Sequence, residues 1–537
     1  MQPVFAIIVT LAATCSVGAA ALHERVDTLI ATAAGDTPFA PATSDAEFVR
    51  RVYLDFAGTI PTASAAREFI ATAAPDKRVA LIDKLMASDA FAKRMADAFH
   101  VILMERRGTD KEWRSYLVEA FTANRPWDRI AREILKPDFR NEQLRGAGYF
   151  ITQRLTKSGQ QPTDYPGLTR DVGRLFMGVD LQCGQCHRHL TVKDYRQVEF
   201  NGLFNVYQNL KLQNPNKEFK TKWLSENLME KKYEFVSVFT EKRRETGPRI
   251  PFGKEVAIPA FKADEKWLVA PDRRKRNTGV PKFSPLKEIA DGLAHPENPF
   301  FARNLANRVW HLLMGRGLVE PLDLMHSANP ASHPELLDLL EKEIVAHKYD
   351  VRWLVRELAL TQTYQRSSRL PTGVDRLPEE KFVIAKERPV AAEQLLNAFL
   401  TATGEFDRVV HGTKDSDDAE EHSHEAFRTA FQAAFANAPK EPELEVNPSL
   451  RGALFLSNSD LVQWALRPRA GNLVQRLSHG AAPIADALYF SIYSRAPSAE
   501  ERAIIEGFLN QRADRKTNAI QHLAWSLLSS IEFQTNH

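Results

Sequence analysis

Five consecutive residues, Cys183-Gly184-Gln185-Cys186-His187, carry the clearest chemistry in the sequence. Cys-x-x-Cys-His is the signature of covalent haem attachment. Two thiols two residues apart reach the two vinyl groups on one haem edge. The histidine that follows is carried onto one face of the ring, where its imidazole can bind the iron. The first reading of the loop is therefore a haem c site, with Cys183 and Cys186 as attachment points and His187 as proximal ligand.

The same loop admits other chemistry. His189 lies two residues after His187, so Cys183, Cys186, His187 and His189 offer four ligand atoms of the kinds that zinc accepts. A zinc site in a non-redox scaffold or accessory protein is the alternative, with His189 serving as a ligand in that case only. A redox dithiol or plain disulfide is the remaining reading. The sequence singles out no sixth haem ligand; His100, Met104, Met177, His295, His311 and His326 are the candidates it offers. An enzyme site around Asn307, Arg308, Arg316 and His333 is a third class of function, although residues of these types more often cap helices and pair charges. The sequence contains no G-x-S-x-G, H-E-x-x-H or G-x-x-x-x-G-K-[ST] motif. His422-Ser423-His424 sits among acids and reads as a solvated loop.

Cysteine usage bears on compartment. The chain of 537 residues has three cysteines. Val4 to Val17 is an uncharged, apolar run followed by Gly18, Ala19, Ala20 and Ala21, which is the pattern of a signal peptide with a small-residue cleavage site. Residues 1–21 are thus expected to be an export signal, and Cys15 would leave with it. No later segment has the roughly 18 uninterrupted apolar residues of a membrane span. The expected location is periplasmic or secreted, where thioether attachment takes place in bacteria. A long exported chain with one close cysteine pair is not a disulfide scaffold. Lys plus Arg number 71 and Asp plus Glu 68, a formal net charge of +3. This balance argues against a nucleic-acid partner, which calls for a basic stripe. Residues 241–244 and 272–276 read as short basic surface loops.

The elements that must hold the loop are helical. Leu168, Val172, Leu175 and Phe176 recur at helical spacing before it, and Val198, Phe200, Leu203, Phe204 and Tyr207 after it. Upstream, Ser44 and Glu47 form a capping-box pattern ahead of the stripe Phe48, Val49, Val52 and Phe56. Thr62 can cap the next helix. Between about 211 and 283, charges, Pro and Gly interrupt the period, and residues 233–239 read as a strand. A second helical block opens near Ser284, with Phe300, Phe301, Leu305, Val309 and Leu312 on one face. Ser332 and Glu335 suggest another capping box, and Leu488, Ile492, Ile504 and Phe508 are expected in the core. The fold class is mainly α: two helical blocks with an irregular, partly β connecting region. The boundaries are 1–21 for the signal, 22–210 for the block with the cysteine loop, 211–283 for the connection and 284–537 for the second block.

Longer stretches carry a resemblance. Arg50-Arg51-Val52-Tyr53-Leu54-Asp55-Phe56-Ala57-Gly58 and Phe176-Met177-Gly178-Val179-Asp180-Leu181-Gln182 leading into the cysteine loop resemble the planctomycete secreted cytochrome-C-like domain (type two). Asn298-Pro299-Phe300-Phe301-Ala302-Arg303, Asn307-Arg308-Val309-Trp310 and Gly315-Arg316-Gly317-Leu318-Val319 resemble its usual companion, the planctomycete secreted domain (type one). Residues 332–338, 388–396 and 529–533 extend the match. Both domains are of unknown function. The resemblance implies a secreted, haem-bearing protein and supplies no reaction; the haem reading itself suggests electron transfer, with an unknown redox partner. It aligns Cys183, Cys186, His187 and His189 with the family's cysteine motif. Around the second histidine the family usually has an acidic residue and a Pro, where this chain has Arg188 and Leu190. The carboxylate that would support an imidazole from behind is missing there.

Overall fold

The computed structural model describes residues 20–272, 274, 277–412, 421–441, 450–480 and 482–537. All but the last two residues of the expected signal segment lie outside the described residues. The fold is mainly α: 24 α-helices and four two-stranded antiparallel ladders make up its regular structure among the described residues. No described helix is long and apolar enough to cross a membrane.

The Asp45–Ala57 helix shows how the sequence builds these elements. Ser44 Oγ accepts the Glu47 N–H at 3.1 Å, and Gly58 ends the helix at φ 67° in the left-handed region. The reciprocal arm of the expected capping box does not form. The Glu47 carboxylate instead accepts from Arg51, the Ser367 hydroxyl and the Ser368 N–H. Phe48, Val49, Val52 and Phe56 are buried as the stripe requires. So are Arg50, Arg51 and Asp55 on the other faces, because later parts of the chain wrap the helix. Arg50 donates to the carbonyls of Ile492 and Phe533, and Arg51 to that of Arg366.

The two sequence blocks do not make two separate cores. One buried apolar cluster runs from Leu22 to Phe382 and takes in the Pro285–Leu293, Pro299–Met314, Pro334–Ala346 and Val351–Leu360 helices. The second joins residues between Val390 and Phe533 to Leu54 and Ile60. Polar ties follow the same division. Asn304 Nδ2 and Arg308 Nη2 donate to the carbonyls of Leu175 and Arg174, at 2.8 and 2.9 Å. The Leu175 carbonyl, in the last turn of the Tyr165–Met177 helix, has no partner within it, whereas the Arg174 carbonyl also accepts the Gly178 N–H at 3.0 Å. A short ladder between Arg388–Pro389 and Thr535–Asn536 closes the chain's end back onto the second block.

The connecting region holds three hairpin-like ladders: Leu210–Gln213 with Trp223–Glu226, Tyr233–Val236 with Arg243–Thr246, and Trp267–Val269 with Val280–Pro281. The strand expected over 233–239 stops at Val236, and Ser237 to Phe239 begin the turn. Two other expectations shift. The Pro334–Ala346 helix is capped at His333 with no side-chain hydrogen bond, so Ser332 and Glu335 form no capping box. On the Ala499–Asn510 helix the core position is Ile505, at 4% exposed, while Ile504 is 64% exposed. One residue is about 100° of helix rotation, enough to move a side chain from core to solvent.

Candidate functional site

The cysteine loop is anchored from three sides. The Tyr165–Met177 helix ends at Gly178, φ 68°, and Val179 pairs with Leu324 as an isolated bridge. Leu181 is fully buried. Gly184 packs against the Gln197–Tyr207 helix so closely that a Cβ there would lie 3.1 Å from Phe200 Cβ and 3.4 Å from the Arg196 carbonyl. From the other side, the hairpin turn docks: the Cys186 carbonyl accepts the Val238 N–H at 3.1 Å and Gln197 Nε2 at 3.1 Å. Gln197 Nε2 also reaches the Val236 carbonyl at 3.0 Å.

Within the loop the backbone makes one helical turn. The Cys183 carbonyl accepts the N–H groups of Cys186, at 3.4 Å, and His187, at 3.2 Å. Positions i, i+3 and i+4 of such a turn share a face, which puts Cys183, Cys186 and His187 together. Both cysteines are free thiols and exposed. His187 Nδ1 lies 2.6 Å from the Arg188 carbonyl. A carbonyl can only accept, so Nδ1 carries the proton and Nε2 keeps its lone pair. The His187 ring also lies 4.5 Å from the Phe239 ring, centroid to centroid. Around this turn Leu190, Val238 and Phe239 are 76%, 63% and 63% exposed, an unusual concentration of open apolar surface.

His189 is arranged differently. Its Nδ1 accepts the N–H groups of Val192, at 3.0 Å, and Thr191, at 3.3 Å. In the neutral ring the proton then sits on Nε2, and neither nitrogen has a free lone pair for a metal. Among the described residues no group of three or more His, Cys, Asp and Glu side chains is placed to hold a metal ion.

The structure separates most of the other residues weighed as iron ligands from this loop. Met104 and Met177 are fully buried in the first core. His100 Nδ1 accepts from Trp113 Nε1 at 2.9 Å, and burial pushes its pKa down to about 4. His295 Nδ1 accepts the Glu297 N–H at 3.2 Å. His311 lines a cavity between the two blocks, and burial pushes its pKa down to about 3. His326 lies closer to the loop: Tyr195 stands edge-on between it and His189, 5.2 and 6.0 Å from the two rings. Its Nδ1 is 3.2 Å from the Ala328 N–H.

Of the four residues read as a possible enzyme site in the second block, His333 is buried with Nδ1 3.1 Å from Ser332 Oγ, Arg316 is half-buried, and Asn307 and Arg308 make bonds that hold the fold. Asn307 clamps the backbone of Val319 through both its amide atoms, at 2.9 and 3.0 Å. Arg308 holds Asp323 and Asn304. His422 stacks on Trp464 at 4.5 Å, and Ser423 caps the His424–Phe435 helix. The feature that motif reading missed is the cavity of about 590 Å³ between the blocks, with buried Arg94 in its wall. Its sequence signal is slight: a charged residue on a helix whose neighbours Phe91, Ala92, Met95 and Ala96 are all core.

Residues 25–212 match the family model PSCyt2, a protein of unknown function (DUF1549), and residues 287–509 match PSD1, a protein of unknown function (DUF1553). The chain carries both domains, in that order. No curated protein and no solved structure matches it. The cysteine loop lies wholly within the PSCyt2 match, and PSD1 residues brace it from behind. Met325 N–H donates to the Gly178 carbonyl at 2.9 Å, and the Tyr195 hydroxyl donates to the Met325 carbonyl at 3.2 Å. The division between the two hydrophobic cores falls inside the PSD1 match, between Phe382 and Val390.

Proposed function

We propose that this PSCyt2–PSD1 protein is an exported c-type haem protein that works in electron transfer. One observation carries the reading: Cys183, Cys186 and His187 occupy one turn, with both thiols free and exposed and with His187 Nδ1–H tied to the Arg188 carbonyl so that Nε2 is open. That tie fixes the tautomer and aims of the imidazole, as partners of ligating histidines do. Bound haem would supply one-electron redox chemistry at this surface. The chain's own contribution is to present two nucleophilic sulfurs side by side, to hold one imidazole in its ligating form, and to offer Leu190, Val238 and Phe239 as apolar cover. His189, with Nδ1 committed to the turn, acts as a brace of the loop.

The test is protein made with a periplasmic haem-maturation system. Haem should survive denaturation and acid–organic extraction, because thioether bonds are covalent. Cys183→Ser combined with Cys186→Ser should abolish that retention. Stoichiometric zinc with no covalent haem in properly matured protein would overturn the reading in favour of a zinc-bearing scaffold.

A further inference from the structure

The cavity between the two blocks is walled by the Asp89–Met104, Pro299–Met314 and Ala392–Thr403 helices and has a volume of about 590 Å³. Sites for small organic molecules span about 300–1,000 Å³. Its wall is largely apolar, with Val101, Ile102, Leu175, Leu312 and Phe406 among the lining side chains. Of the five acids that line it, Glu387 is exposed to solvent and the other four are matched. Glu105 is held by Arg107 and Arg174, Asp323 by Arg174 and Arg308, Glu393 by Arg106, and Asp97 by Arg114.

Arg94 is the exception. It is 8% exposed and lines the cavity, yet it makes no hydrogen bond and no ion pair among the described residues, and its Nε is buried without a partner. Gly58, at φ 67°, makes room for its stem: a Cβ there would stand 3.2 Å from Arg94 Cδ. Burial opposes the charge on Arg94, as does Arg388, while Asp55, Asp97 and Glu393 favour it from beyond hydrogen-bond range. A buried guanidinium with no acceptor costs stability, and proteins seldom keep one without a use. Its donors form a planar fork that matches a carboxylate bidentately.

We propose that this cavity binds a small organic monoanion, a carboxylate on an apolar body, with Arg94 as the group that takes the carboxylate. The inference is independent of what the cysteine loop holds. Lys93, exposed at the same cavity, adds positive charge at its edge.

Calorimetric titration of the full mature chain with decanoate tests it, with decanol and acetate as companions. Decanoate should bind one per chain. Decanol lacks the charge and acetate the apolar body, and each should bind about tenfold or more weakly. Arg94→Met should weaken decanoate by about tenfold or more, as loss of one partner of a buried charged pair does. Unliganded Arg94→Met should melt no lower than the parent, whereas an arginine serving structure alone would melt lower when replaced. Val101→Trp, which fills the cavity from its lining while keeping Arg94 itself, should also abolish binding, and it keeps the test open if Arg94→Met fails to fold. Equal binding of decanoate and decanol, undiminished binding to either variant, or no binding of decanoate to the parent chain would each overturn the proposal.

Discussion

The Gln197 side-chain amide donates to the Cys186 carbonyl at 3.1 Å, so the helix that follows the cysteine loop grips the loop's own backbone. The same nitrogen reaches the Val236 carbonyl at 3.0 Å. Gln197 is 4% exposed, and it is the side chain that ties the loop, the hairpin and the helix into one unit. Gln197→Met keeps the length and removes both bonds. It should cost roughly 0.5–1.5 kcal/mol per bond, the net worth of an ordinary hydrogen bond, because the Cys186 carbonyl keeps the Val238 N–H and Val236 is partly exposed to water. Hydrogen exchange should quicken in residues 183–192 and 236–239 before it does elsewhere. Uniform quickening over the whole chain would show that Gln197 has no special hold on the loop.

Asp55 offers a second, sharper test of how the chain's ends are joined. Its carboxylate is 2% exposed and accepts from Arg388 at 2.7 and 2.8 Å, the Tyr364 hydroxyl at 2.8 Å and Asn536 Nδ2 at 2.9 Å. Asp55→Asn leaves Arg388 without its counter-charge. Removing one partner of a buried pair costs roughly 3–5 kcal/mol, and partial solvent access to Arg388 places the expected loss at the lower end. Thermal unfolding of the variant should start in the second block, where Arg388 and Asn536 pair in the closing ladder. A change in melting temperature no larger than that of a surface substitution would refute this role.

Acid sensitivity follows from the buried histidines. Burial depresses the pKa of His100 to about 4 and of His311 and His537 to about 3. The unfolded chain takes up these protons near pH 6.5, ahead of the folded one. Stability is therefore full above about pH 6.5 and falls as pH drops toward 4 and 3, with on the order of 3 kcal/mol at stake at His100 and at most ~5 kcal/mol at each of the other two. At His100 the loss has a visible cause, since protonating Nδ1 removes the acceptor of the Trp113 indole N–H. His100→Gln keeps an acceptor and does not titrate. Its stability curve between pH 6.5 and 4 should be flatter than the parent's, and identical slopes would rule His100 out as a contributor.

What the sequence made legible was local. The helices on either side of the cysteine segment follow from apolar residues that recur with one period, whereas the segment itself reads only as a loop and its helical turn comes from the fold. The close seat of Gly184 on Phe200 was not legible, since nothing near Gly184 in the chain announces a helix 16 residues on. Glu47 left its capping box for Arg51 and for Ser367, a partner 320 residues away. The shared first core escaped for the same reason: stripes on the Pro299–Met314 helix show that it must pack, but not against what. Arg94 is the extreme case. What marks it is the lack of a partner, and that is a property of the whole fold.

Gly184 also supplies a prediction of its own. Gly184→Ala drives a methyl to 3.1 Å from Phe200 Cβ on the Gln197–Tyr207 helix, which is not a flexible side-chain end. Overpacking of this kind costs about 1–3 kcal/mol. The loop should yield before the helix does, so the reactivity of Cys183 and Cys186 toward a thiol reagent should change while helical content holds. Parent-like stability together with parent-like thiol reactivity would show that the contact relaxes freely.

The apolar rim of the loop separates a functional surface from an incidental one. Phe239 is 63% exposed and lies 4.5 Å from the His187 ring, so it contributes little to the core while standing over the imidazole. Phe239→Ser should leave the stability of the haem-free chain within about 0.5 kcal/mol of the parent, as substitutions on open surface do. In haem-loaded protein the same change should act strongly. It admits water beside the His187 face, and water stabilises the more highly charged ferric state, so the reduction potential should fall. Leu190→Ser, on the same rim but with no ring contact to His187, should lower it less. A potential that is unmoved by Phe239→Ser, measured on protein with full covalent haem, would mean that the exposed rim plays no part in covering the cofactor.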